Sequence, residues 1–123
     1  MIDASHRFHG RGSLRFVYQQ GKTARGTYSS LKYIANKRRA TYRMAVVVSR
    51  KVHKSAVVRN RIRRRIYEIV RVHSSDITAP YDMIFTAHSE QLATLEPAEL
   101  QEQILSQLRS AGIMPREEIR GMV

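Results

Sequence analysis

Residues 42–71 read YRMAVVVSRKVHKSAVVRNRIRRRIYEIVR, and the hydrophobic period changes halfway along. The first part, Tyr42 to Ser49, is β-branched, and Met44-Ala45-Val46-Val47-Val48 does not alternate with polar residues. Such a run predicts a strand covered on both faces. The second part has a helical period. At roughly 100° per residue, with Asn60 at zero, Val58, Ile62, Ile66 and Ile69 fall within about 80° of one another on the side opposite Asn60. Arg64 and Arg71 fall within about 40° of Asn60, and Arg61 and Arg63 flank them. Arg59 and Arg65 sit at the apolar boundary, where their stems can cover the edge of a core. A strand, a basic loop from Arg50 to Lys54 and a helix starting at Ser55 therefore form the central unit, with one dry stripe and one arginine face.

Working outward, Ser13 is placed to cap a short helix, Leu14 to Gln20, with Gly21 ending it. Leu14, Val17 and Tyr18 share one face of that helix and Phe16 points elsewhere. Thr27 to Ile34 predicts a strand, followed by a turn at Asn36-Lys37-Arg38-Arg39. On the other side, Tyr81 to His88 (YDMIFTAH) predicts a third strand, entered through Pro80. A last helix begins near Pro97, carries Leu100, Ile104, Leu108 and Ala111 along one stripe, and stops at Gly112. The order is α-β-β-α-β-α, an α+β fold in a single domain over residues 1–123, with one small sheet. The core is expected over about residues 7–113, with an N-terminal arm at 1–6 and a frayed tail from Ile113–Met114 to Val123. If the second and third strands are neighbours, the arginine helix is their crossover and they run parallel.

Charge narrows the function. The chain has 123 residues, with 22 Lys+Arg against 10 Asp+Glu and a net charge of +12. Residues 1–71 hold 19 of the basic residues and two acids, Asp3 and Glu68, a balance of +17. Residues 72–123 hold Arg109, Arg116 and Arg120 against eight acids, a balance of −5. A merely solvated helix mixes acids with bases at i, i+4, whereas residues 49–71 hold seven arginines and one acid. Like charges at that spacing repel, and a polyanion removes the repulsion. Arginine's planar fork also pairs with phosphate through two hydrogen bonds and stacks on bases. Together these features predict a nucleic-acid partner without separating RNA from DNA.

Other chemistry is disfavoured. There is no cysteine, which excludes disulfides, thiolate nucleophiles and cysteine-based zinc sites. The five histidines (His6, His9, His53, His73, His88) form no helical H-x-x-x-H pair or finger. Asp76 and Asp82 lack a partner carboxylate for two-metal catalysis. His9-Gly10-Arg11-Gly12 is neither a phosphate loop nor a dinucleotide fingerprint. No catalytic residue is assigned to this chain. No run approaches the roughly 18 apolar residues of a membrane span, and the N-terminus does not read as a signal peptide. A cytoplasmic monomer is the expectation.

The segment Ala56-Val57-Val58-Arg59-Asn60-Arg61-Ile62-Arg63-Arg64 resembles the RNR motif of the bacterial ribonuclease P protein component, roughly A-V-x-R-N-x-x-K-R. Arg63 stands where lysine is usual. Arg7-Phe8 resembles the family's N-terminal R-L pair, and Leu14 to Tyr18 followed by Gly21 resembles its F-x-x-V-[FY]-x-x-G helix. Val48-Ser49-Arg50-Lys51 resembles the V-S-K-K strand end, and Tyr81-Asp82-Met83-Ile84 the later D-[FY]-[IV] strand. The likeness runs from about residue 7 to 113. There are three departures from it: His53 stands near the usual loop glycine, Leu14 replaces a frequent aromatic, and Ser29 and Ser30 occupy a strand where bulkier residues are common.

The resemblance implies the protein subunit of an RNA-based enzyme that cuts the 5′ leader from precursor tRNA. It implies a ribosomal protein S5 domain 2-like fold whose strand-helix-strand crossover is left-handed, against the general right-handed rule. It places the catalytic groups in the RNA subunit, along with the magnesium the holoenzyme needs, and implies no cofactor held by the protein. Arg59, Asn60, Arg63 and Arg64, supported by Arg50, Lys51 and Arg61, would contact the catalytic RNA. Phe8, Leu14 and Tyr18 would line a cleft for the leader of precursor tRNA. Leu14 and Tyr18 read equally well as packing of the first helix on the sheet. Two rivals share the basic surface: a structural RNA-binding protein of ribosomal type with no catalytic partner, and a DNA-binding protein. Arginines spread over many angles suit shape and phosphate better than base edges.

Overall fold

The computed structural model describes residues 11–115. Helix α1 spans Arg11–Gln20 and is followed by strands β1 (Lys22–Arg25), β2 (Ser29–Ala35) and β3 (Arg43–Val47). Helix α2 spans Ala56–Val72, strand β4 Tyr81–Ala87 and helix α3 Pro97–Ser110. Short 3-10 turns at Ser74–Asp76 and Glu90–Ala93 flank β4. The sheet order is β1-β2-β4-β3, with β3 and β4 parallel and the other two pairings antiparallel. The predicted parallel pairing of the strands on either side of the arginine helix is therefore present.

Each face of the sheet has its own cover. Leu31 of β2, Met44 and Val46 of β3, and Met83 and Phe85 of β4 point into the main core. There they meet Ile62, Ile66 and Val70 of α2 and Leu100, Ile104 and Leu108 of α3. Alternate residues point the other way, as the two-residue pleat requires. Ala45 and Ile84 pack against Val17 of α1, with Leu14, Ile34 and Val47 around them. A strand between two such layers has no polar face, which is why β3 shows no alternation.

Four local features differ from the sequence reading. A fourth strand, β1, precedes the predicted ones. It is four residues long, only Ala24 of it is buried, and Lys22, Thr23 and Arg25 are exposed, so it carries almost no hydrophobic signal. Short, charged edge strands of this kind discourage further pairing. Helix α1 begins at Arg11, so Ser13 lies inside it and is not its cap. Ile113 and Met114 are buried and are not part of a frayed tail. Both of their amides reach the Leu108 carbonyl, at 3.0 and 3.2 Å. Gly112, at φ +77°, makes this reversal possible, since the left-handed region suits a residue without Cβ. Finally, Val70 joins the buried stripe of α2, whereas Val58 and Ile69 are only partly covered.

Gly21 also carries a close approach. A Cβ there would sit 2.5 Å from the Val17 carbonyl oxygen and 2.9 Å from that of Tyr33. The glycine thus ends α1 and lets the chain turn tightly against β2. Ser29 is equally constrained: its hydroxyl donates to the buried Gln107 at 2.9 Å, and Gln107 donates back to the Ala24 and Ser29 carbonyls. The side-chain amide of Gln107 occupies the space that a bulkier strand residue would need.

Candidate nucleic-acid interface

Helix α2 starts where the sequence placed it. Ser55 is its N-cap, its hydroxyl accepting from the Val58 amide at 3.4 Å. A cap of this type contributes about 1 kcal/mol. The loop before it has no glycine, and His53 closes it instead: His53 Nδ1 accepts from the Ser55 amide at 3.0 Å. Arg59 completes the closure by donating to the His53 and Lys54 carbonyls at 3.0 and 2.9 Å.

The arginines of this region divide into two groups. Arg59, Arg63 and Arg65 are half-buried and work inside the protein. Arg63 donates to Asn60 Oδ1 at 2.6 Å and to the Val48 carbonyl at 3.3 Å, fastening α2 to the end of the strand before it. Arg65 donates to the Leu92 and Leu95 carbonyls and so clamps the Glu90–Ala93 turn against the helix. Burial lowers the pKa of Arg65, and the like charge of Arg61 adds to that effect. Arg71 is paired with Glu68 along the helix. By contrast, Arg50, Lys51, Lys54, Arg61 and Arg64 are exposed and have no partner among the described residues. These five cations sit on the loop and the outer face of α2, around its N-terminal half, where the helix dipole also attracts anions. Of the seven residues assigned to RNA-subunit binding, Arg50, Lys51, Arg61 and Arg64 are presented outward. Asn60 is exposed but engaged by Arg63.

On the opposite face of the sheet, α1 lies across β2 and β4 with Val17 fully buried beneath it. Tyr18 stands on one flank, 40% exposed, its hydroxyl 3.4 Å from Thr86 Oγ1. Leu14 is half-buried against the cluster under α1. Packing and an open ring face thus coexist: Leu14 mainly packs, and Tyr18 offers surface. Phe8 lies outside the described residues.

Several residues on this face carried no signal in the sequence. Ser30 lies opposite Thr86 in the register, and its hydroxyl is 2.7 Å from His88 Nε2. Lys32, two residues along β2, shares the face. A period-two reading of β2 would have found Ser30 and Lys32 together, but the partner His88 lies 58 residues away in sequence. Asp82, set aside above as a lone carboxylate, is buried and held by three hydrogen bonds. Arg43 donates to it through Nε and Nη2, both at 2.9 Å, and Asn36 donates at 2.9 Å. Chiefly through the hydrogen bond to Asp82, the Arg43 pKa is raised. Among the described residues, no group of three or more His, Cys, Asp or Glu is placed to hold a metal ion. No described helix is long and apolar enough to cross a membrane.

Comparison with known proteins identifies the family and the fold. The sequence profile of the family described as Ribonuclease P matches residues 2–112. The ribonuclease P protein component of Chloroflexus aurantiacus is 38% identical over 111 residues, covering 90% of this chain and 81% of the relative. That of Roseiflexus castenholzii is 36% identical over 98 residues, covering 80% and 79%. The solved structure of the Staphylococcus aureus RNase P protein superposes with a TM-score of 0.79 at 25% identity, covering 89% of this chain and 97% of that one. The Thermotoga maritima RNase P protein has the same fold, with a TM-score of 0.76 at 23% identity and 85% and 96% coverage.

Proposed function

The chain belongs to the ribonuclease P protein family, and on that premise we propose that it is the subunit that binds the catalytic RNA and the 5′ leader of precursor tRNA. In this role it assists endonucleolytic removal of the leader to give mature tRNA 5′ ends. The observation that carries the reading is the outward group of five cations on α2 and its leading loop, without partners among the described residues, set on a helix whose other side is locked into the core. Such a surface neutralises phosphates without moving, and phosphate contacts fix position and register. Arg50, Lys51, Arg61 and Arg64 bind the catalytic RNA directly, while Arg59, Asn60 and Arg63 hold the shape of that surface.

The cleft beside α1 holds the leader. Tyr18 offers a ring face that accepts any base, which suits a leader of variable sequence. Leu14 packs beneath α1 at the edge of this face, and Phe8 is assigned to leader binding by the family resemblance alone. Hydrolysis of the phosphodiester bond is assigned to the RNA subunit with its magnesium, and the protein acts as a monomer that places substrate and RNA together. The test is leader length. The holoenzyme should bind precursor tRNA more tightly as the leader is extended from none to several nucleotides, and mature tRNA should show no protein-dependent gain. Binding that ignores leader length would favour a purely structural RNA-binding role.

A further inference from the structure

Helix α1 has a second flank. Phe16 lies about 100° around the helix from the buried Val17, away from Leu14 and Tyr18. It is 53% exposed. A lone exposed aromatic needs no explanation, but Phe16 is one wall of a groove of about 530 Å³ otherwise lined by Ile34, Ala35, Asn36, Arg38, Arg43 and Asp82. Ile34, Asp82 and Arg43 lie side by side in one row of the sheet. Tyr18 meets the row of Thr86, four residues further along β4, which is about 13 Å at the strand rise. The groove is therefore separate from the leader cleft, with α1 between them.

Its chemistry is specific. The Arg43 guanidinium is held in a fixed plane by two hydrogen bonds to the buried Asp82 carboxylate, and Asn36 donates a third bond to the same carboxylate, at Oδ2. Asn36 also shapes the turn, its side-chain oxygen accepting from the Arg38 amide at 3.2 Å. The turn carries Lys37 and Arg38, both exposed. The groove thus combines an exposed aromatic face, a rigid amide and guanidinium floor, and Arg38 at the rim, with Lys37 next to it in the turn. Its apolar floor is small, limited to Ile34 and Ala35, which does not suit an apolar helix or a second copy of the chain. An aromatic face with flanking cations is the combination that takes single-stranded nucleic acid, and the volume falls in the range of small-ligand sites.

We infer that this groove binds one unpaired nucleotide of RNA, with its base against Phe16 and its phosphate at Lys37 and Arg38. The inference rests on the family role proposed above and adds a third contact to it. The nucleotide comes either from the RNA subunit or from precursor tRNA, and two arms of one experiment separate these sources.

The experiment uses the full chain with Phe16→Ala, Phe16→Leu and Phe16→Trp, each checked for unchanged thermal unfolding. In the first arm, affinity for the RNA subunit alone is measured by filter binding. In the second, the affinity of the reconstituted holoenzyme for precursor tRNA is measured. Phe16→Ala should weaken one of the two by roughly 5- to 150-fold, the range of one base stacked on an aromatic ring. Phe16→Trp should restore it and Phe16→Leu should not. Loss in the first arm assigns the nucleotide to the RNA subunit, and loss confined to the second assigns it to the substrate. Wild-type affinity of Phe16→Ala in both arms overturns the inference and leaves the family role standing, as does full rescue by leucine. Failure of the wild-type protein to bind either RNA overturns the family role and this inference together.

Discussion

Arg63 donates a hydrogen bond to the side-chain oxygen of Asn60, one helical turn earlier, at 2.6 Å. The same guanidinium reaches the Val48 carbonyl. Two residues that looked like neighbours on an RNA-binding face are thus tied to each other, and one of them is tied to the sheet. Adjacent arginines in the motif consequently do different work.

Arg63→Ala and Arg64→Ala should separate these roles. Arg64 is exposed and has no partner among the described residues, so its alanine variant should lose RNA affinity while its melting temperature stays unchanged. Arg63→Ala should lower both, with a stability cost of about 1 kcal/mol from lost internal hydrogen bonds. Thermal unfolding beside filter binding to the RNA subunit checks the pair. A large drop in melting temperature for Arg64→Ala would mean that its side chain is not presented outward.

The dry side of the same helix predicts the opposite pattern. Ile62 is fully buried among strand and helix residues. Ile62→Ala should cost roughly 2–5 kcal/mol, read as a shift of the urea midpoint. RNA affinity of the remaining folded fraction should be little changed.

Salt dependence counts the cations. If the five outward cations of α2 and its leading loop each neutralise one phosphate, the logarithm of affinity should fall with that of salt at a slope of roughly −3.5 to −4.5. Removing Arg64 should reduce the slope by about 1. A slope near zero would exclude phosphate neutralisation as the basis of binding.

Gly21→Ala tests the join between α1 and the sheet. The added methyl meets the carbonyl oxygens of Val17 and Tyr33 inside contact distance, and backbone cannot yield as a flexible side chain can. The variant should lose about 1–3 kcal/mol, the usual cost of overpacking. It should also weaken leader-dependent binding, because α1 positions Tyr18. Chemical denaturation together with precursor affinity reads both effects.

Much of this was legible in sequence because α2 and α3 bury long, regular stripes, and because the middles of β3 and β4 carry apolar residues on both faces. Strand β1 was not, since a four-residue edge with one buried alanine has no period to read. Among the arginines, a helical wheel gives the angle of each side chain but not what its far end reaches. Arg59, Arg63 and Arg65 find backbone carbonyls in segments up to 30 residues away, and only the folded chain brings these together. The Arg43–Asp82 pair, 39 residues apart, was invisible for the same reason. Ser29, a departure from the family pattern, made sense once Gln107 was seen against it. The motif located the surface proposed to bind RNA, and tertiary contacts decided which of its residues face outward.

Reconstitution with the RNA subunit from the same organism tests the central claim most directly. Precursor-tRNA cleavage is followed against magnesium concentration for the RNA alone, the protein alone and the two combined. The account predicts no cleavage by the protein alone, and cleavage by the combination at magnesium concentrations where the RNA alone is inactive. An unchanged magnesium requirement on adding the protein, or cleavage by a rigorously purified protein without RNA, would contradict it.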